Sequence, residues 1–167
     1  GIDHFARPDD GLAMAAQNGT LRRNFQGYTD DEAPVLIGLG ASSISRFPQG
    51  YAQMNPSTSG WAKAVQAGAF ATTRGHAFRE DDLLRGRIIE ALMCDFSVKS
   101  AELIRDFGAT PALLEALFAP VAAKFGNFLR HDARGLSIPP EGRPLTRMIA
   151  ADFDSYAMAK TSHSSAI

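Results

Sequence analysis

Apolar side chains recur on one face through residues 80–125 of this chain, with sharp breaks between the runs, and this pattern commits most of its second half to helix. Leu84, Ile88, Ala91 and Leu92 stand at i, i+4, i+7 and i+8 within residues 80–96, the spacing of one buried helix face. A short helix is expected over residues 100–107, stopped by Gly108. Thr110-Pro111 then supplies an N-cap with proline in the first turn. Leu114, Leu117, Phe118, Val121 and Phe125 repeat at helical spacing up to Gly126, with Pro120 as an expected kink. Two short alternating runs around Asp132-Ala133-Arg134-Gly135 predict a β-hairpin over residues 128–138. A last helix carries Leu145, Met148, Ile149, Asp152, Phe153 and Tyr156 on one side. Three helices, a hairpin and a helix follow the element order of a winged-helix module.

The first half is more heavily punctuated. Pro8-Asp9-Asp10 opens a short helix that Asn18-Gly19 ends, and residues 20–34 read as an extended polar loop carrying two aromatics, Phe25 and Tyr28. Residues 35–39 are the strand candidate, apolar enough for both faces to be buried as in a parallel sheet. Residues 46–60, with Pro48, Gly50, Pro56 and Gly60, read as a surface loop. A helix over residues 61–66 and an extended piece near residues 71–74 precede the long helix. The chain is thus expected to be α+β. Residues 1–55 form one part, 56–78 a connection and 79–167 a mostly helical, winged-helix-like domain.

Composition narrows the chemistry. A net charge of −1 gives no global positive field for a nucleic-acid backbone, and no run approaches the ~20 apolar residues of a membrane span. Cys94 is the only cysteine, so neither an internal disulfide nor a cysteine-rich metal site can form. It is expected in the core, since unpaired cysteines usually pack as small apolar groups. Asp3-His4 has no further ligand at metal spacing, and His76, His131 and His163 are expected to be solvated. Arg130, Arg134, Arg143 and Arg147 could face DNA, but Asp132, Glu141 and Asp152 interleave them. A packing role for the winged-helix unit is favoured over a DNA-reading one.

Gly38-Leu39-Gly40-Ala41-Ser42-Ser43-Ile44-Ser45 looks like a ligand wall, because glycine lets backbone approach a partner closely. Gln26, between Phe25 and Tyr28, carries both an amide donor and a carbonyl acceptor suited to fixing a small ligand.

Together with Arg23-Asn24-Phe25-Gln26-Gly27-Tyr28, Gly50-Tyr51-Ala52-Gln53, Thr73-Arg74-Gly75, Asp81-Asp82, Glu141-Gly142-Arg143 and Phe153-Asp154-Ser155-Tyr156, that run resembles the oxygen-independent coproporphyrinogen III oxidases. These are radical S-adenosylmethionine enzymes of haem biosynthesis, and the resemblance covers essentially all 167 residues. It implies a cytoplasmic oxidoreductase that uses a 4Fe-4S cluster and S-adenosylmethionine to convert two propionates of coproporphyrinogen III to vinyl groups. It further implies that residues 1–55 end a radical S-adenosylmethionine partial barrel. Gln26 and Ile44 are implied to reach the cofactor and substrate. No residue of this chain is expected to be catalytic or to bind metal, the three cluster cysteines being expected in an N-terminal catalytic barrel outside it. The segment Gly1-Ile2-Asp3-His4-Phe5 fits the interior of a longer fold, so the chain is expected to be an inactive C-terminal fragment that self-associates through residues 35–44. Departures from the family pattern are Ser43 for alanine, Met54 within Tyr-Ala-Gln-Asn, and Ser165 near the end. The alternatives are a winged-helix DNA-binding regulator and a haem-handling relative without oxidase activity.

Overall fold

Residues 5–79 and 81–156 are described by a computed structural model of the chain. Its backbone contacts form two compact units, one of residues 1–31 with 81–167, the other of residues 32–80.

The first unit begins with α1 (Gly11–Asn18), capped where the Asp10 carboxylate accepts the Leu12 N–H at 2.9 Å and ended by Gly19 at φ 69°. Residues 20–34 are not the uninterrupted loop expected from their polarity. Arg22–Asn24 (β1) and Gly27–Thr29 (β2) pair as an antiparallel hairpin. The Asn24 side chain makes its turn, accepting the Gln26 and Gly27 N–H groups at 2.8 and 3.2 Å.

The second unit is an antiparallel meander of Ile44–Phe47 (β3), Gly50–Met54 (β4) and Thr72–Ala77 (β5), with α2 (Thr58–Gln66) between β4 and β5. The strand expected over residues 35–39 is displaced to β3, and the supposed surface loop from residue 46 supplies β3 and β4. Residues 35–39 make one bridge, with Leu36 N–H and C=O on Arg46 at 2.9 and 2.8 Å, and the chain then turns at Gly40 and Ser42. Ile37 is 67% and Leu39 87% exposed, not buried as expected. Pro48 punctuates the β3–β4 turn without ending the pairing, because it stands outside the ladder. The other half of that turn depends on Gly50 at φ 152°, where a Cβ would lie 2.0 Å from the His76 carbonyl oxygen.

Returning to the first unit, the chain forms α3 (Asp82–Asp95), β6 (Ser97–Lys99), α4 (Ser100–Phe107) and α5 (Pro111–Phe125), then β7 (Arg130–Asp132), β8 (Gly135–Ser137) and α6 (Thr146–Ala151). The α4 stop at Gly108, the Thr110 cap and the hairpin stand where the sequence predicts them. The last helix begins as a 3-10 stretch over Pro140–Leu145. Helix α5 runs through Pro120 unbroken. β6, too short to show an alternating pattern, joins the hairpin in the order β6-β8-β7 and completes a winged-helix-like arrangement. The core joins α3, α4, α5, α6 and this sheet. Ile88, Leu92, Leu103, Phe118, Ile149 and Phe153 are fully buried, and the Phe118 ring meets His131 and Phe153 edge to face. Among the described residues no helix is long and apolar enough to cross a membrane.

Candidate functional site

Gln26 stands in the exposed two-residue turn between β1 and β2, beside the half-exposed Phe25. Its backbone N–H is taken by Asn24, so the turn needs nothing from its side chain. Tyr28, expected as an exposed loop aromatic, is drawn instead into the β2 packing.

A hairpin of two three-residue strands has little stability by itself, and this one is held from below by α3. The Arg23 N–H donates to Glu90 Oε1 at 3.2 Å, and the Tyr28 hydroxyl donates to the Met93 carbonyl at 3.2 Å. Glu90 Oε2 also pairs with Arg87 at 3.1 Å and with Arg22 at 3.8 Å, and Arg87 Nε reaches Glu102 on α4 at 2.6 Å. Burial acts to lower the Arg87 pKa, but the hydrogen bonds and charges of Glu102 and Glu90 outweigh it and hold the guanidinium above its ordinary value. Beneath the hairpin, Ala15, Leu21 and Cys94 form an apolar cluster with Leu12 and Tyr28 packed on it. Cys94 is in the core as expected, its thiol pushed up to about 12 by burial and then by Glu90 and Asp95, so it holds its proton at neutral pH.

Asp95 closes α3 near the same charges. Burial raises its carboxyl pKa, Arg87 lowers it, Glu102 and Glu90 raise it, and the net shift is upward. A carboxyl raised in the folded state disfavours folding when ionised and loses that cost as pH falls through its folded pKa. Asp95→Asn is therefore expected to stabilise the chain at pH 7 by up to about 1 kcal/mol, helped by removing an anion from a helix C-terminus. Urea unfolding across pH should show the advantage shrinking toward the ordinary carboxylate pKa of about 4.

Ile44, in the second unit, is half-buried on β3 opposite Gln53. Antiparallel pairs alternate in the direction of their N–H and C=O groups. Arg46 turns its groups away from β4 to Leu36, and Ile44, two residues before it, turns the same way. Gly38 lies against this edge: a Cβ there would stand 2.6 Å from the Ile44 carbonyl oxygen, and its N–H donates to the buried Ser45 hydroxyl at 3.0 Å. The close approach that glycine permits is therefore to the strand's own backbone. Ser43, the departure from alanine, donates to the Gly40 carbonyl at 2.7 Å and so serves the turn before β3. At the second departure, the β4–β5 register shifts between Gln53 and Met54.

Several further residues make contacts that hold the fold together. Asp82 accepts the Tyr156 hydroxyl and Arg85 reaches the Phe153 carbonyl, tying α3 to the turn after α6. His131, expected to be solvated, is packed against Phe118 with Nε2 3.5 Å from Glu115, while His76 lies half-buried on β5 with its ring near Phe78. In the basic patch, Arg134 is paired with Asp132 at 2.7 Å and Arg143 lies 4.4 Å over the Phe96 ring. Asp3, His4, His163 and Ser165 lie outside the described residues. Glu90 and Arg22 were not distinguishable in sequence, because a carboxylate on a helix and an arginine in a polar segment read as solvated charges.

No protein-family model matches the chain. It is 61% identical over 167 residues to the oxygen-independent coproporphyrinogen III oxidase of Paracoccus denitrificans, covering all of this chain and 37% of that protein. With the protein of the same name from Escherichia coli it shares 37% identity over 164 residues, 96% of this chain and 35% of that one. A solved structure of the Escherichia coli coproporphyrinogen III oxidase, described as a radical SAM enzyme, superposes with a TM-score of 0.82 at 36% identity over 93% of this chain and 36% of its own. The chain thus spans little more than a third of the length of the relatives it matches.

Proposed function

Because the chain belongs to the oxygen-independent coproporphyrinogen III oxidase family, as its C-terminal part, we propose that the protein containing it converts two propionate side chains of coproporphyrinogen III to vinyl groups in the cytoplasm. Each propionate would lose a hydrogen atom and carbon dioxide, with one electron passing to an acceptor. The observation that carries this reading is the 61% identity sustained over all 167 residues. The test is anaerobic turnover of the whole protein, reconstituted with iron and sulfide, with coproporphyrinogen III and S-adenosylmethionine. Protoporphyrinogen IX is the expected product; binding of the porphyrinogen without turnover would favour a haem-handling relative instead.

An iron-sulfur cluster does not fit this chain. Its one cysteine is a protonated core thiol, and the described residues contain no group of three or more His, Cys, Asp or Glu side chains able to hold a metal. Three thiolates must come from sequence outside it. The chain by itself is expected to hold no stoichiometric iron after anaerobic reconstitution; cluster iron found by metal analysis would overturn that assignment.

S-adenosylmethionine fits better: it supplies radical chemistry when bound, and it presents amino-acid and adenosyl groups that seek amide and backbone partners. Among the described residues the Gln26 side-chain amide makes no hydrogen bond, and Ile44 directs backbone polar groups off the edge of β3. We assign both to the cofactor and substrate region. We also assign the exposed Val35, Ile37 and Leu39, three apolar side chains within one five-residue run, to contact with the N-terminal remainder of the protein, since clustered rather than scattered apolar exposure marks an interface. The chain alone should then self-associate, seen by sedimentation as a mass rising with concentration and reversed by Ile37→Lys with Leu39→Lys. A monomer at all concentrations would remove this assignment.

A further inference from the structure

We infer that Glu90 is a positioning residue for the Gln26 turn, holding the β1 backbone against α3; this rests on the reading that Gln26 reaches the cofactor and substrate. One turn of α3 supplies anchors to both strands of the hairpin, Glu90 to Arg23 on β1 and Met93 to Tyr28 on β2. Of the two, only Glu90 acts through a side chain. Its two carboxylate oxygens divide the work. Oε1 takes the Arg23 N–H, one residue from the Asn24 side chain that builds the turn, while Oε2 takes Arg87 and Arg22. Arg87 is fixed in turn by Glu102 on α4, so Glu90 is oriented from the body of the first unit. Glu90, Arg87 and Glu102 are each about four-fifths buried at the side chain, where a hydrogen bond to a charged acceptor is worth more than at the surface. A carboxylate suits this place because it accepts from the Arg23 backbone N–H and from Arg87 at once, while its charge faces Arg22 at 3.8 Å.

The experiment uses the whole protein and four variants: Glu90→Ala, Glu90→Gln, Gln26→Ala and Glu90→Ala with Gln26→Ala. Hydrogen exchange gives the readout that is independent of turnover. In Glu90→Ala the Arg23 amide should exchange about tenfold faster or more, as expected for losing a bond to a charged acceptor, while the amides of α3 keep their protection. Turnover should fall about tenfold from the displaced turn, and Glu90→Gln, which keeps a carbonyl oxygen for Arg23, should recover most of it. Added to Gln26→Ala, Glu90→Ala should cost less than about twofold, because residues acting through one another are not additive. Unchanged exchange at Arg23, or a full additional loss in the double variant, would overturn the inference. Wild-type turnover in Gln26→Ala alone would instead remove the reading of Gln26, whatever the exchange at Arg23 shows. If Glu90→Ala loses protection throughout α3, a fifth variant, Glu90→Met, which keeps the side-chain bulk on the helix but offers no oxygen to Arg23, carries the same comparison.

Discussion

In the whole protein, Gln26→Ala is expected to lower turnover about a hundredfold, the loss that follows when reacting groups are misplaced by about an ångström. Thermal melting and iron content should stay unchanged. The turn around Gln26 is made by Asn24 Oδ1 and by backbone pairing of Asn24 with Gly27. Removing an exposed side-chain amide therefore leaves the hairpin standing, and any loss of turnover reports what that amide touches when the enzyme works. Turnover at the wild-type rate would make Gln26 a turn residue only. At Ile44 the sensible probe is bulk rather than truncation. A backbone contact survives alanine, whereas Ile44→Trp should obstruct it.

Phe118→Ala should reduce the unfolding free energy of the chain by about 3–5 kcal/mol, the range for deleting a buried phenylalanine ring. Phe118 is 1% exposed, and its ring meets His131 at 5.7 Å and Phe153 at 6.1 Å, both near perpendicular. Such pairs add about 0.5–1.5 kcal/mol beyond burial. The ring therefore joins α5 to β7 and to the turn after α6, three places that cannot collapse into one cavity together. Urea unfolding would measure the change; a loss below about 1 kcal/mol would mean that the site refills.

The helices of the second half could be read from sequence because a start, a stop or a repeating apolar face is written into their own residues. Thr110-Pro111, Gly108 and the spacing of Leu84, Ile88, Ala91 and Leu92 are local signals, and local signals survive without knowledge of partners. The strands could not be read in the same way. β1, β2 and β6 are three residues long, too short for alternation to register, and are defined by what they pair with. Residues 35–39 show the opposite failure. Their apolar run imitates a buried strand, yet Gly38 and Gly40 break it and Ile37 and Leu39 stand exposed. Of the candidate site, Gln26 and Ile44 were proposed from the motifs around them. Glu90 was not, since its partner Arg23 lies 67 residues away.

That separation also sets an order in time. The β1–β2 hairpin lies in the N-terminal 31 residues, while its supports on α3 are 65 to 67 residues further along the chain, beyond the whole of the second unit. At synthesis rates of about 5–20 residues per second, the hairpin leaves the ribosome roughly 3–13 s before the helix it needs. A two-stranded ribbon cannot wait in its final form for so long. The closure that brings the two together costs entropy growing with the logarithm of the intervening length, and a second unit already folded shortens that path. Slow folding of residues 32–80 should thus delay the ordering of the Gln26 turn, even though no residue of that unit belongs to the hairpin.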